Sequence, residues 1–157
     1  MIKHEVLELN EQKFVGIKTI VLLKDADKTD FGKLHKEVCE ADIKNIDYQE
    51  RFMAIDTDYT DESFSYTPLA PVKSFDGNEK YTQFTRQKGT YCAFEVNSLD
   101  LNPSWFKKVF EYMNEKKITV ENTGYDLEYY DEDYETMVKN KDVPKERVLM
   151  VLFKMNN

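Results

Sequence analysis

The sequence predicts an α+β fold. It reads as a tandem pseudo-twofold repeat of hairpin–helix–hairpin, about eight antiparallel strands with two main helices on one face and a cleft between the repeats. Three observations predict it. Short alternating, β-branched and aromatic runs are separated by polar turns, two apolar stripes recur at helical spacing, and the distance from helix start to next strand is the same in both halves. Phe31 to Phe52 is 21 residues and Trp105 to Tyr125 is 20. No linker of real length separates the halves, so residues 1–157 are read as one domain, with repeat one at 1–74 and repeat two at 79–157.

In the first repeat Glu5 to Leu9 alternates and meets the polar turn Asn10-Glu11-Gln12-Lys13. Phe14 to Leu23 follows, and the two runs predict an antiparallel hairpin. Asp30 is placed to cap a helix from Phe31, whose apolar stripe is Phe31, Leu34, Val38 and Ala41. That stripe leaves His35 on the polar side. Phe52 to Tyr59 and Phe64 to Val72 are the next strands, and Pro68 and Pro71 predict that the second is an edge strand or broken early.

Ser74-Phe75-Asp76-Gly77-Asn78 is turn chemistry, and the pattern then repeats. Tyr81 to Arg86 and Thr90 to Val96 are strands around Gln87-Lys88-Gly89. Asn102-Pro103 opens a helix with a capping side chain and a proline where no N–H is needed. Its packing face is Trp105, Phe106, Val109, Phe110 and Met113. Tyr125 to Tyr130 and Val148 to Met155 close the half, joined by the longer connection from Asp131 to Arg147, acidic at its start.

Composition narrows the function. The 157 residues carry 22 Lys and Arg against 30 Asp and Glu, a net charge of −8, which argues against nucleic-acid backbones and anionic membranes as partners. The longest apolar run is Val148 to Phe153, far short of a membrane span, and the acidic N-terminus lacks a signal-peptide core. Cys39 and Cys92 stand apart in apolar surroundings and are expected as free thiols in the cytoplasm. With five glycines, the chain holds no Walker loop, nucleophile elbow or dinucleotide fingerprint. Two histidines without partners at metal spacing predict no metal and no cofactor. Asp56-x-Asp58-x-Thr60 resembles a calcium loop, but Asp61 stands in place of the turn glycine and Thr67 in place of the closing glutamate. A solvated acidic turn is the expectation there.

The strand Gly124-Tyr125-Asp126-Leu127-Glu128-Tyr129-Tyr130 is the most suggestive segment. Alternation puts Leu127 on one face and Glu128 and Tyr130 on the other. With Leu127 under a helix, Glu128 and Tyr130 would point into a cleft on the opposite face. A carboxylate beside aromatic rings receives delocalised cations by ion pairing and cation–π attraction. By periodicity alone Glu128 reads first as a solvent-facing strand residue.

Gly89-Thr90-Tyr91-Cys92-Ala93-Phe94, the helix Trp105 through Tyr112, Leu127-Glu128-Tyr129-Tyr130 and Gln12-Lys13-Phe14-Val15-Gly16-Ile17, in that arrangement, resemble the GyrI-like small-molecule-binding family. That family includes the effector-binding halves of AraC-type and multidrug-responsive MerR-type regulators. Strand pattern beginning by Glu5 leaves no room for a helix-turn-helix before the domain, so the chain resembles a stand-alone member. The resemblance implies a cleft that binds amphipathic, often cationic or aromatic compounds around a central glutamate. On this chain that glutamate is Glu128, with Tyr130, Tyr91 and Trp105 as candidate wall residues; Tyr66, on the first-half strand equivalent to the last strand, is a further candidate by its position. The resemblance also implies two alternatives, a hydrolase of electrophilic xenobiotics with Glu128 as general base, or a protein-interaction role such as gyrase inhibition.

Overall fold

A computed structural model describes residues 2–133 and 146–156. Among the described residues, nine strands and two α-helices follow in the order β1 (Glu5–Leu9), β2 (Gln12–Gly16), β3 (Thr19–Leu22), α1 (Phe31–Glu40), β4 (Arg51–Thr57), β5 (Ser63–Val72), β6 (Thr82–Arg86), β7 (Gly89–Asn97), α2 (Pro103–Glu115), β8 (Asp126–Asp133) and β9 (Val148–Lys154). Short 3₁₀ segments precede each helix at Leu23–Lys28 and Ser98–Asp100. The fold is α+β, and its strands form one antiparallel sheet in the order β1-β7-β9-β8-β4-β5-β2-β6, with β3 beside β5. Most of the Asp131–Arg147 connection lies outside the described residues.

Both helices start where their caps dictate. The Asp30 carboxylate accepts from Lys33 N–H at 3.1 Å, and the Asn102 side-chain oxygen accepts from Trp105 N–H at 3.0 Å. The expected turn at Asp76-Gly77 forms too, with Gly77 at φ +81°, a conformation that costs a residue without a Cβ little. No helix among the described residues is long and apolar enough to cross a membrane.

The pairing corrects the first hairpin. β1 lies against β7, in register Glu5 with Ala93, and β2 lies against β5 and β6. The opening strand of each half is thus exchanged onto the other half, and the strand order reads alike from both ends. The long run from Phe14 splits into β2 and β3, which both pair with β5.

β5 corrects another expectation, because it is continuous and internal despite two prolines. Pro71 turns its carbonyl away from β2 to accept from Asp47 N–H at 2.9 Å, beyond the end of the β4 ladder. Pro68 falls between the β2 pairings, which stop at Leu69, and the β3 pairings, which resume at Tyr66. Neither ring therefore removes a ladder hydrogen bond. Gly16 packs against this point so closely that a Cβ there would lie 1.9 Å from the Pro68 carbonyl oxygen.

The two sheet faces bury two cores. Val38 of α1 and Val109 and Met113 of α2 pack on one face with Phe52, Ala54, Tyr66, Phe94, Tyr130 and Val151. The other face carries no helix and is buried by curling. Phe14, Met53, Tyr91, Leu127 and Leu152 cluster there, and Phe84 of β6 meets Tyr125 beside β8 at 5.6 Å. Arg86 is enclosed in this second core, donating to the Asn10 carbonyl at 3.0 Å and lying over the Phe14 ring. Leu127 therefore points away from the helices, and Glu128 and Tyr130 lie on the helix face, the reverse of the arrangement expected from alternation. Phe110, expected in the packing face of α2, is half exposed and touches Phe153 by its ring edge.

Candidate functional site

β8 runs between the footprints of the two helices. α1 reaches the sheet through Phe31 on Tyr66, 4.7 Å between ring centroids, and through His35 on Phe52 at 5.1 Å. α2 reaches it through Tyr112 on Phe94 and Phe110 on Phe153, at 5.7 Å each. Glu128 sits opposite Ala54 on one side and Val151 on the other, only 5 % exposed. A carboxylate so enclosed needs donors, and it has them.

The donors form a chain. Tyr130 O–H donates to Glu128 Oε1 at 3.1 Å, and the Tyr66 and Tyr130 hydroxyls are 3.0 Å apart. Tyr66 Oη lies 2.6 Å from His35 Nε2, and Arg147 Nη2 lies 3.4 Å from His35 Nδ1. Arginine only donates, so Nδ1 is the acceptor and the imidazole proton sits on Nε2. This assignment gives every step one direction, from Arg147 through His35, Tyr66 and Tyr130 to Glu128. Burial and the adjacent Arg147 charge hold the His35 pKa well below its usual value, which keeps the ring neutral as the chain requires. The Arg147 guanidinium also lies over the Tyr130 ring, 3.7 Å from its centroid.

Two further acids face the same side. Asp56 closes β4 opposite Asp126, diagonal to Glu128, and is 8 % exposed. Burial first, and then the Glu128 charge and hydrogen bond, push the Asp56 pKa well above the carboxylate range. Burial also raises Glu128, against the opposing pull of Asp56, Tyr130 and Arg147. Burial thus disfavours two charges side by side, and the upward push is stronger on Asp56. Asp126 accepts from Tyr59 O–H at 2.7 Å, and burial of that phenol drives its pKa up.

Of the residues named from the sequence, Glu128, Tyr130 and Tyr66 meet in this network. Trp105 is half-buried at the start of α2 on the same side, its ring against Phe106 at 5.1 Å. Tyr91 lies on the opposite face. Its hydroxyl donates to the Gln87 carbonyl at 2.7 Å, and burial pushes its pKa up to about 12. It borders a small cleft there with Glu121, Tyr125 and Lys154, separate from Glu128.

His35, Asp56 and Arg147 were missed. His35 is 2 % exposed rather than polar-facing, and Asp56 is a buried strand residue rather than part of a solvated turn. Signals existed for both. His35 stands four residues after Phe31 and three before Val38, inside the stripe. Asp56 and Glu128 each lie 26 residues beyond the cap of the preceding helix, from Asp30 and from Asn102. Burial pushes the Cys39 and Cys92 thiols up to about 11, away from the thiolate form that reacts. No group of three His, Cys, Asp or Glu suited to a metal ion occurs among the described residues.

Comparison with known proteins adds a family. The family of integron-associated effector binding proteins matches over residues 5–143. No sequence among the curated proteins matches the chain. Among solved structures, SAV2435 bound to tetraphenylphosphonium superposes with a TM-score of 0.63 at 14% identity, covering 99% of this chain and 94% of that one. The EcmrR C-terminal domain gives 0.67 at 12% identity over 100% and 99% of the two chains. An integron cassette protein from the mobile metagenome of Vibrio cholerae gives 0.54 at 13% identity over 98% and 95%. At these identities the three neighbours establish the shared fold.

Proposed function

The chain belongs to the family of integron-associated effector binding proteins, which bind small molecules, and from that premise we propose that it binds amphipathic aromatic cations around Glu128, for sensing or sequestration. The observation that carries this reading is a buried carboxylate at the end of a one-directional donor chain, set among the rings of Tyr130, Tyr66 and Phe52. An ionised carboxylate in an apolar, ring-lined site attracts a delocalised cation more strongly than the same pair does in water. The Tyr130 hydroxyl favours the charged form of Glu128, and the ring of the same residue already carries a cation on its face, the Arg147 guanidinium. Residues of both halves, Tyr66 from the first and Glu128 and Tyr130 from the second, contribute to the network, which supports a ligand position at the seam.

SAV2435, with the same fold, holds a lipophilic monocation, tetraphenylphosphonium, and that compound is the natural first probe. Titration calorimetry of the purified chain should show saturable binding of tetraphenylphosphonium. The melting temperature should rise with its concentration, because a ligand that binds only the folded state stabilises it by mass action. A flat isotherm and an unmoved melting temperature at millimolar probe would refute the reading.

A further inference from the structure

Asp56 has no task in cation binding by Glu128 alone, yet its burial is costly. Its Oδ1 is fully buried, and no N–H or O–H of the described residues reaches it. Its neighbour, diagonal across the β4–β8 pairing, is the carboxyl of Glu128, whose charge and hydrogen bond push the Asp56 pKa up beyond the effect of burial. We propose that Asp56 and Glu128 together form a receptor for planar cations bearing N–H donors, aryl amidinium or aryl guanidinium groups, in preference to cations that carry none. This rests on the reading of Glu128 as the cation-binding carboxylate and adds to it a second carboxyl and a ligand class.

Two carboxyl groups in contact are both acceptors once ionised, so a hydrogen must lie between them. In the ligand-free protein it is a proton. An amidinium supplies N–H donors in its place and a charge with them, and the displaced proton passes to solvent. A phosphonium or N-alkylpyridinium ion brings charge without donors, and leaves the proton on Asp56 and its buried oxygen without a donor.

The protein displays this chemistry with its own side chain. Arg147, a planar N–H-bearing cation, stacks on Tyr130 at 3.7 Å and acts electrostatically on Glu128. A ligand amidinium takes over that stacked position with its charge and its donors. The fold supports the pairing as well, since Asp56 and Glu128 occupy matching positions in the two halves, each 26 residues beyond its helix cap. A two-carboxyl receptor at a pseudo-symmetric seam offers one ligand an acceptor from each half.

The test compares two singly charged, two-ring probes of similar size on the full chain, biphenyl-4-carboxamidinium and 1-methyl-4-phenylpyridinium. Calorimetry near neutral pH should give the amidinium about tenfold tighter binding, the weight of one charge-assisted hydrogen bond. Its enthalpy should vary with the ionisation enthalpy of the buffer, reporting proton release, while that of the pyridinium should not. Asp56→Asn should erase the margin and the buffer dependence of the amidinium enthalpy. Equal affinities in the wild type, or a margin that survives Asp56→Asn, would overturn the proposal. The wild-type pair of isotherms decides it even where the variant does not fold. Pyridinium binding that depends on Glu128, with no preference for amidinium, sinks this inference and leaves the proposed function standing. Failure of both probes to bind sinks both.

Discussion

His35 Nε2 stands 2.6 Å from the hydroxyl of Tyr66, a bond that ties the middle of α1 to the internal strand β5 beneath it. Because Tyr66 passes its own proton on toward Tyr130, this contact fixes the direction of the whole donor chain. It also couples the helix position to the state of Glu128, two hydrogen bonds farther on.

Removing that hydroxyl leaves the buried His35 Nε2 only its longer contact with the Tyr130 oxygen, at 3.3 Å. Tyr66→Phe should therefore destabilise the fold by about 1–3 kcal/mol, although the ring and its packing on Phe31 remain. Urea unfolding followed by circular dichroism measures this. An unchanged midpoint would show that the chain of bonds carries no stability.

The Asp56 proton sets a pH dependence. Its folded pKa is raised, so the folded state binds a proton that the unfolded chain releases, and the associated stability is lost as pH rises from the ordinary carboxylate range through the folded value. His35 has the opposite sign, since its depressed pKa costs stability as pH falls below its usual 6.5. Asp56→Asn should flatten the loss on the rising side, where the slope reaches at most about 1.4 kcal/mol per pH unit per proton. Melting curves of both proteins across pH 4 to 8 in about unit steps separate the two contributions. Parallel curves would show that Asp56 carries no extra proton.

Gly16 should tolerate no side chain. A Cβ there meets the carbonyl oxygen of Pro68 at 1.9 Å, and both lie in the backbone of paired strands that cannot yield separately. Gly16→Ala should cost about 3 kcal/mol or more, at the severe end of overpacking. Wild-type stability of that variant by chemical denaturation would contradict the close approach.

The parts of the fold legible in the sequence are those set by local chemistry. Asp30 and Asn102 cap their helices, Gly77 turns the chain at positive φ, and the helical stripes land on the core. Strand partners were not legible. Alternation in Glu5–Leu9 states which face is buried but not which neighbour it joins, and the exchange of β1 onto β7 depends on pairing across 80 or more residues. The prolines of β5 misled for a related reason, because an absent N–H matters only where a neighbouring strand asks for it.

The site was half legible. Glu128, Tyr130 and Tyr66 came together as named, while Tyr91 fell on the other face because a strand's two faces are interchangeable until the sheet curls. Asp56 was hidden by its acidic neighbours Asp58 and Asp61, which share its composition but not its burial. Arg147 follows the long connection and reaches the network only through the fold.

Superposition of residues 5–72 and 82–154 tests the repeat itself. Aligned on the two helix caps, Asp56 should fall on Glu128 and β2 on β7 in an experimental structure. A best alignment that pairs Glu128 with a residue of the opposite face would contradict the repeat.

The most direct test of the central claim is Glu128→Gln, assayed by calorimetry against tetraphenylphosphonium and a neutral aryl relative, triphenylphosphine oxide. Gln keeps the shape and a hydrogen-bond acceptor for Tyr130 but removes the charge. The cation should lose about ten- to a hundredfold in affinity, the weight of a charge-assisted contact in a buried site, while the neutral compound changes by less than about threefold. Unchanged affinity for the cation would contradict the account and return Glu128 to a structural role in β8.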